Sequence, residues 1–129
     1  MRHADAMRVV EAIQAELERS GGGAAVAVTD THGELVAFVR TDGCPLPSIG
    51  NAMNKAYTAS RERITSEELG RRSREEGFPM TNYGDLRYIS WGGGVPIVSG
   101  GEVIGAVGVS GLPEAEDIAL ATMGARLIS

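Results

Sequence analysis

The sequence EVIGAVGVS, residues 102–110, is the longest apolar strand that the chain predicts, and we expect it in the interior of a sheet. A short strand over residues 95–99 precedes it across a two-glycine hairpin signal, and Pro96 places that strand at a sheet edge or a bulge. Gly105 and Gly108 interrupt the long strand and fall on its opposite faces. Because glycine weakens a strand unless something must come close, we expect either a packed helix or a flat ligand against it.

The rest of the chain predicts helices around an antiparallel sheet. Helical spacing of apolar residues, a capping box from Thr65 to Glu68, and Gly or Pro at segment ends define the elements. In chain order we expect a helix over 4–19, strands over 24–29 and 34–40, helices over 48–64 and 66–76, a loop over 78–86, strands over 87–91, 95–99 and 102–110, and a helix opened by Pro113. This order, α-β-β-α-α-β-β-β-α, predicts an α/β domain of the α+β kind with a mainly antiparallel sheet.

The composition predicts one globular domain over residues 1–129, with 43% hydrophobic and 22% charged residues. The formal net charge is −5 and no run rich in Lys or Arg is present, which argues against a nucleic-acid partner. No apolar run reaches the ~20 residues that span a bilayer, so we expect no membrane association. One cysteine, Cys44, excludes an internal disulfide, and the first residues lack a secretory pattern, so we expect a cytoplasmic protein.

Three charged residues are candidates for a site. Lys55 lies between Ala52 and Ala59 on a helix face of small residues, where it either points into a pocket as an anion anchor or base or remains a solvated lysine. Arg40 and Asp42 end a strand, and they either grip a ligand carboxylate or form an ion pair that orients the chain. As catalytic residues, the three would supply an anion clamp and proton-transfer groups.

Further ligand-binding candidates come from the least regular part of the chain and from its longest strand. Loop aromatics with a polar group often line ligand sites or oligomer interfaces, and Tyr83 and Trp91 are of this kind. The triple glycine Gly92 to Gly94 would form a pocket rim with exposed backbone amides, so Gly93 and Gly94 are candidates, and Ser110 at the end of the long strand is another. No cluster of His, Cys or Asp has metal-ligand spacing, so we predict no metal site.

Several stretches, taken in order, resemble the haem-binding GlcG/HbpS family, which is related to the C-terminal domain of PduO-type corrinoid adenosyltransferases. Asp117 also lies where that family keeps an acidic residue early in the last helix. The matching stretches are VAVTD (26–30) with Gly33, RTDG (40–43), NKAYTA (54–59), GGVPI (93–97) and VIGAVGVSG (103–111). The resemblance implies a profilin-like antiparallel sheet flanked by helices, a homo-oligomer, and haem as a candidate cofactor.

Two functions follow as hypotheses. The first is an oligomeric small-ligand-binding protein for haem or a related tetrapyrrole, with Tyr57, Tyr83, His32 or Cys44 as candidate iron ligands. The second is a small cofactor-independent isomerase, lyase or hydrolase that uses acid–base chemistry on a carboxylate-bearing metabolite. Both assume that Lys55 and Arg40 project into one concave space.

Overall fold

The computed structural model describes residues 1–128 and contains four helices and four strands. A short 3₁₀ turn over Met80–Tyr83 lies within the predicted loop. The elements are α1 (His3–Ser20), β1 (Ala25–Thr29), β2 (Leu35–Arg40), α2 (Leu46–Glu62), α3 (Ser66–Glu76), β3 (Gly94–Ser99), β4 (Glu102–Ser110) and α4 (Glu114–Ala125). No helix within this part of the chain has the length and hydropathy to cross a bilayer.

The strands form one antiparallel sheet in the order β2-β1-β4-β3. The long strand β4 lies at the centre, where Val109 pairs with Val26 of β1 and Gly108 pairs with Gly94 of β3. Strand β3 is an edge strand, as Pro96 predicts. The α+β class and the antiparallel sheet flanked by helices are therefore confirmed.

The segment over residues 87–91 is not a strand, although the sequence predicts one. Its backbone donors are taken by side chains: Arg87 N–H donates to Asp85 Oδ1 at 3.0 Å and Ile89 N–H donates to Thr58 Oγ1 at 3.0 Å. A strand needs these groups for a ladder with a neighbouring strand. Side chains have replaced that ladder, so the described sheet has four strands rather than five.

The two faces of the sheet are packed differently. Helices α1 and α4 cover a face of larger branched side chains, which includes Val26, Val107 and Val109. Helix α2 covers a face of alanines, and small side chains let helix and sheet approach closely. The alanine cluster comprises Ala25, Ala27, Ala52, Ala56, Ala59 and Ala106.

Glycines in β3 and β4 allow α2 to lie directly on the sheet. A Cβ on Gly108 would lie far inside van der Waals contact with the Ala52 carbonyl oxygen of α2. A Cβ on Gly94 would collide in the same way with the carbonyl oxygen of Lys55. The close neighbour of Gly108 is therefore a packed helix and not a ligand.

This packing predicts opposite effects for two glycine-to-alanine changes. Gly108→Ala should lower the free energy of unfolding by about 1–3 kcal/mol, because the added methyl group forces α2 away from β4. Gly50→Ala lies in α2 with open space around it and should raise that free energy by about 0.4–1 kcal/mol through helix propensity. Urea unfolding measures both values, and equal stability of the two variants would contradict the close contact.

Candidate ligand-binding cleft

Lys55 is a buried lysine that α2 directs towards the end of β4. Its Nζ donates to the Val109 carbonyl oxygen at 2.9 Å and to Asp117 Oδ2 at 3.3 Å. The side chain is only 3% exposed. Gly93 makes room for it, since a Cβ there would lie 2.9 Å from Lys55 Nζ. The Lys55 side chain therefore lies inside the protein and is not a solvated helix lysine.

Asp117 supplies the partner charge from the first turn of α4. Its Oδ2 faces Lys55, and its Oδ1 accepts the Leu112 N–H at 3.1 Å. Burial raises the pKa of the Asp117 carboxyl, while the Lys55 ammonium and the Leu112 amide act in the opposite direction. The positive end of the α4 dipole also favours a carboxylate at this position. The result is a buried ion pair that connects α2, β4 and α4.

An open cleft of about 470 Å³ lies over this ion pair, and we call it the Lys55 cleft. Its volume is within the range of small-ligand sites, roughly 300–1,000 Å³. Helix α2, the 91–92 loop, the end of β4 and the start of α4 all contribute to its wall. The lining residues are Ser48, Asn51, Lys55, Trp91, Gly92, Ser110, Gly111, Leu112, Glu114 and Asp117.

Two serines of this cleft have hydroxyl groups that form no hydrogen bond within the described part of the chain. Ser48 is 6% exposed and Ser110 is 5% exposed, and neither side chain forms a hydrogen bond with any residue from 1 to 128. Neither oxygen is sealed off from solvent, since no fully enclosed side-chain oxygen in that range lacks a partner. The two hydroxyls therefore face the cleft, where a ligand can take up their hydrogen bonds.

Trp91 lies at the rim on a fixed backbone. Its carbonyl oxygen accepts the Ser66 hydroxyl at 2.7 Å, and the next amide, Gly92 N–H, donates to Glu114 Oε2 at 2.6 Å. The Trp91 side chain is nevertheless 60% exposed. A solvent-facing indole on a fixed backbone offers a flat apolar surface to a ligand.

The structure brings together part of the predicted site. Lys55, Trp91 and Ser110 all line the cleft. Gly93 and Gly94 are buried beside Lys55, and the Gly94 amide donates to Ser66 Oγ at 2.9 Å. The prediction of a rim of exposed amides is therefore wrong for Gly93 and Gly94, because their backbone is used for packing. Gly92 does line the cleft, with its amide donated to Glu114.

Arg40 and Asp42 lie elsewhere. They line a second cleft of about 420 Å³ together with Gln14 and Glu18 of α1. Arg40 is an exposed residue at the end of the edge strand β2, whereas the ammonium of Lys55 is drawn inwards by Val109 and Asp117. The prediction that Lys55 and Arg40 project into one concave space is wrong.

Tyr83 belongs to an aromatic cluster outside the Lys55 cleft. Its ring stacks on Tyr88 at a centroid distance of 4.3 Å, and its hydroxyl donates to Glu62 at 3.2 Å. Tyr57 lies beneath this cluster and donates its hydroxyl to Asp85. Burial is the main cause that raises the pKa of Tyr88 to about 12. The cluster holds the 78–90 segment against α2.

Some cleft residues were not predicted. In the sequence, only the family resemblance points to Asp117 as a site residue, because the helix dipole equally explains an acidic first turn. Ser48, Asn51 and Glu114 carried no signal in the sequence, since polar residues at helix starts are common for structural reasons. Only the folded chain shows that these side chains meet.

The ion pair predicts a strong dependence of stability on both partners. Lys55→Met should lower the free energy of unfolding by about 3–5 kcal/mol, because it leaves a buried carboxylate without its cation. The double variant Lys55→Met/Asp117→Asn should recover most of this loss, since the asparagine side chain can still accept the Leu112 amide and carries no charge. Urea unfolding tests this pair, and a double variant no more stable than the single one would contradict it.

Comparison with known proteins identifies the family of the chain. The family model described as "Haem degrading protein HbpS-like" matches residues 1–126. The Escherichia coli (strain K12) protein GlcG is 35% identical over 111 residues, which cover 81% of this chain and 77% of GlcG.

Solved structures agree with this result. A double mutant of Streptomyces reticuli HbpS is 26% identical with a TM-score of 0.89, and the match covers 100% of this chain and 87% of that one. The complex of PduOC with haem is 21% identical with a TM-score of 0.91 and covers 100% and 95% of the two chains, which shows a shared fold. This chain therefore belongs to the HbpS-like family.

Proposed function

We propose that this chain is a small-ligand-binding protein whose ligand lies in the Lys55 cleft. The observation that carries the proposal is a pair of serines, Ser48 and Ser110, which are 6% and 5% exposed, line the cleft, and have hydroxyls without a protein partner within residues 1–128. Buried polar groups normally find a partner, so such groups mark a place where a ligand or water completes them. The exposed indole of Trp91 supplies an apolar contact beside them.

Haem is the first ligand to consider, given the family's description and the haem complex of PduOC. Haem iron in proteins is ligated by His, Cys, Met or Tyr side chains. None of the described residues that line the cleft is of these types. The cleft therefore does not fit an iron-ligated haem.

The residues suggested as iron ligands are placed differently. His32 lies exposed in the β1–β2 turn, and the hydroxyls of Tyr57 and Tyr83 donate to carboxylates. Cys44 is half-buried, its thiol faces the Pro45 carbonyl oxygen, and burial raises its pKa. These contacts disfavour the phenolate and thiolate forms that bind iron.

The same cleft does fit a planar organic ligand. Trp91 lines its rim with an indole that is 60% exposed, and such a side chain offers an apolar ring for stacking. We propose that a tetrapyrrole in this cleft is held through its ring system, with no iron ligand from the cleft.

This proposal predicts that the metal is dispensable. Haem and iron-free protoporphyrin IX should bind with similar affinities, measured by absorbance and porphyrin fluorescence. Trp91→Ala should weaken the binding of haem and of protoporphyrin IX by about tenfold each, or about 1.4 kcal/mol, because the contact with the indole ring is lost. Leu127→Ala, a change at a 39% exposed side chain outside the cleft, is the control and should have no effect.

Two results would overturn the tetrapyrrole proposal. One is binding of haem alone, with the absorption spectrum of a protein-ligated iron. The other is equal binding by wild type and Trp91→Ala.

Fewer residues support the enzyme hypothesis in the folded chain than in the sequence. Arg40 and Asp42 are separated from Lys55, so the predicted clamp for a carboxylate is not assembled. Lys55 and Asp117 remain as acid–base groups beside a cleft, and the raised pKa of the Asp117 carboxyl favours proton transfer there. Catalysis and a cytoplasmic location stay predictions of the sequence.

We also propose that the chain forms a homo-oligomer. Large apolar side chains lie at the surface, among them Leu86 at 97% and Leu46 at 76% exposure, and both β2 and β3 are sheet edges. Sedimentation equilibrium should give a molar mass of at least twice that of one chain. Leu46→Asp or Leu86→Asp should lower the measured molar mass towards that of one chain. A monomeric wild type at micromolar concentration would contradict the proposal.

A further inference from the structure

The floor of the Lys55 cleft is rich in hydrogen-bond donors. An ammonium group has three N–H donors, and the partners of Lys55 Nζ within residues 1–128, Val109 O and Asp117 Oδ2, take two of them. The hydroxyls of Ser48 and Ser110 add two more groups without partners in the same part of the chain. A ligand oxygen that accepts hydrogen bonds suits this floor.

The charge of the cleft restricts which oxygen can bind. Among residues 1–128, its lining contains one cation, Lys55, and two carboxylates, Asp117 and Glu114. Asp117 neutralises Lys55 at 3.3 Å, and Glu114 forms no ion pair with a described residue, although it accepts the Gly92 amide. Over the described residues the lining is therefore net negative by one charge, and an anion bound there would be repelled by Glu114.

We infer that the Lys55 cleft recognises a neutral oxygen acceptor, such as the carbonyl of an amide, ketone or lactam, and discriminates against a carboxylate. This inference rests on the proposed function, that the cleft holds the ligand. It replaces the carboxylate-bearing metabolite predicted from the sequence. For a tetrapyrrole, it places the propionate groups at the solvent side of the cleft.

A matched pair of probes tests the inference. Mandelamide and mandelate share a phenyl ring for Trp91 and a hydroxyl group, and they differ in a neutral amide against a carboxylate. Trp91 is the single tryptophan of the chain, so its fluorescence reports occupancy of the cleft. Mandelamide should quench Trp91 with an affinity at least about tenfold higher than that of mandelate.

Variants assign the preference to particular groups. Ser110→Ala and Ser48→Ala should each weaken mandelamide binding by about three- to tenfold, since each removes one hydrogen bond. Glu114→Gln keeps an acceptor for the Gly92 amide and removes the unpaired charge. It should therefore raise the affinity for mandelate and reduce the difference between the affinities for mandelamide and mandelate. Ser99→Ala, at the other end of β3, is the control and should leave both affinities unchanged. Urea unfolding of each variant checks that the fold is kept.

The outcomes separate this inference from the proposed function. Mandelate binding as tightly as mandelamide, with quenching of Trp91, overturns the inference and leaves the cleft as the ligand site. No response to either probe also overturns the inference, and the porphyrin titration then decides whether the cleft binds a ligand at all.

Discussion

The buried ion pair between Lys55 and Asp117 is the interaction on which the rest of the structure depends. Burying two charges costs free energy unless they are paired and their remaining donors and acceptors are satisfied. Here Val109 O and the Leu112 amide satisfy part of that requirement. The pair connects α2, β4 and α4, so it fixes the start of α4 beside the end of β4. The cleft exists because these ends are held together over a polar floor.

The two faces of the sheet explain why the pair can form. One face carries valines and larger side chains against α1 and α4, and it holds the larger of the two buried apolar clusters. The other face carries alanines and glycines, so α2 approaches until its backbone meets Gly94 and Gly108. That close approach brings Lys55 within reach of Val109 and Asp117. The small side chains on this face therefore bury less apolar area, but they place α2 close enough to the sheet for Lys55 to reach its partners.

Local signals in the sequence predicted most of the fold. Thr65 Oγ1 accepts the Glu68 amide at the start of α3, and Asp30 accepts the His32 and Glu34 amides in the β1–β2 turn. Tertiary contacts account for what was missed. Residues 87–91 do not form a strand because Thr58 and Asp85 accept hydrogen bonds from their backbone amides. The ion-pair partner of Lys55, Asp117, lies 62 residues further along the chain. Such partners leave no periodic signal.

Whether a ligand occupies the Lys55 cleft of this HbpS-like chain can be measured by mapping backbone amide shifts. Mandelamide is added to ¹⁵N-labelled protein, and we expect the largest shifts on Gly92, Ser110, Gly111 and Leu112, around the cleft floor and rim. Shifts centred on Arg40, Thr41 and Asp42, the second cleft, would contradict this expectation.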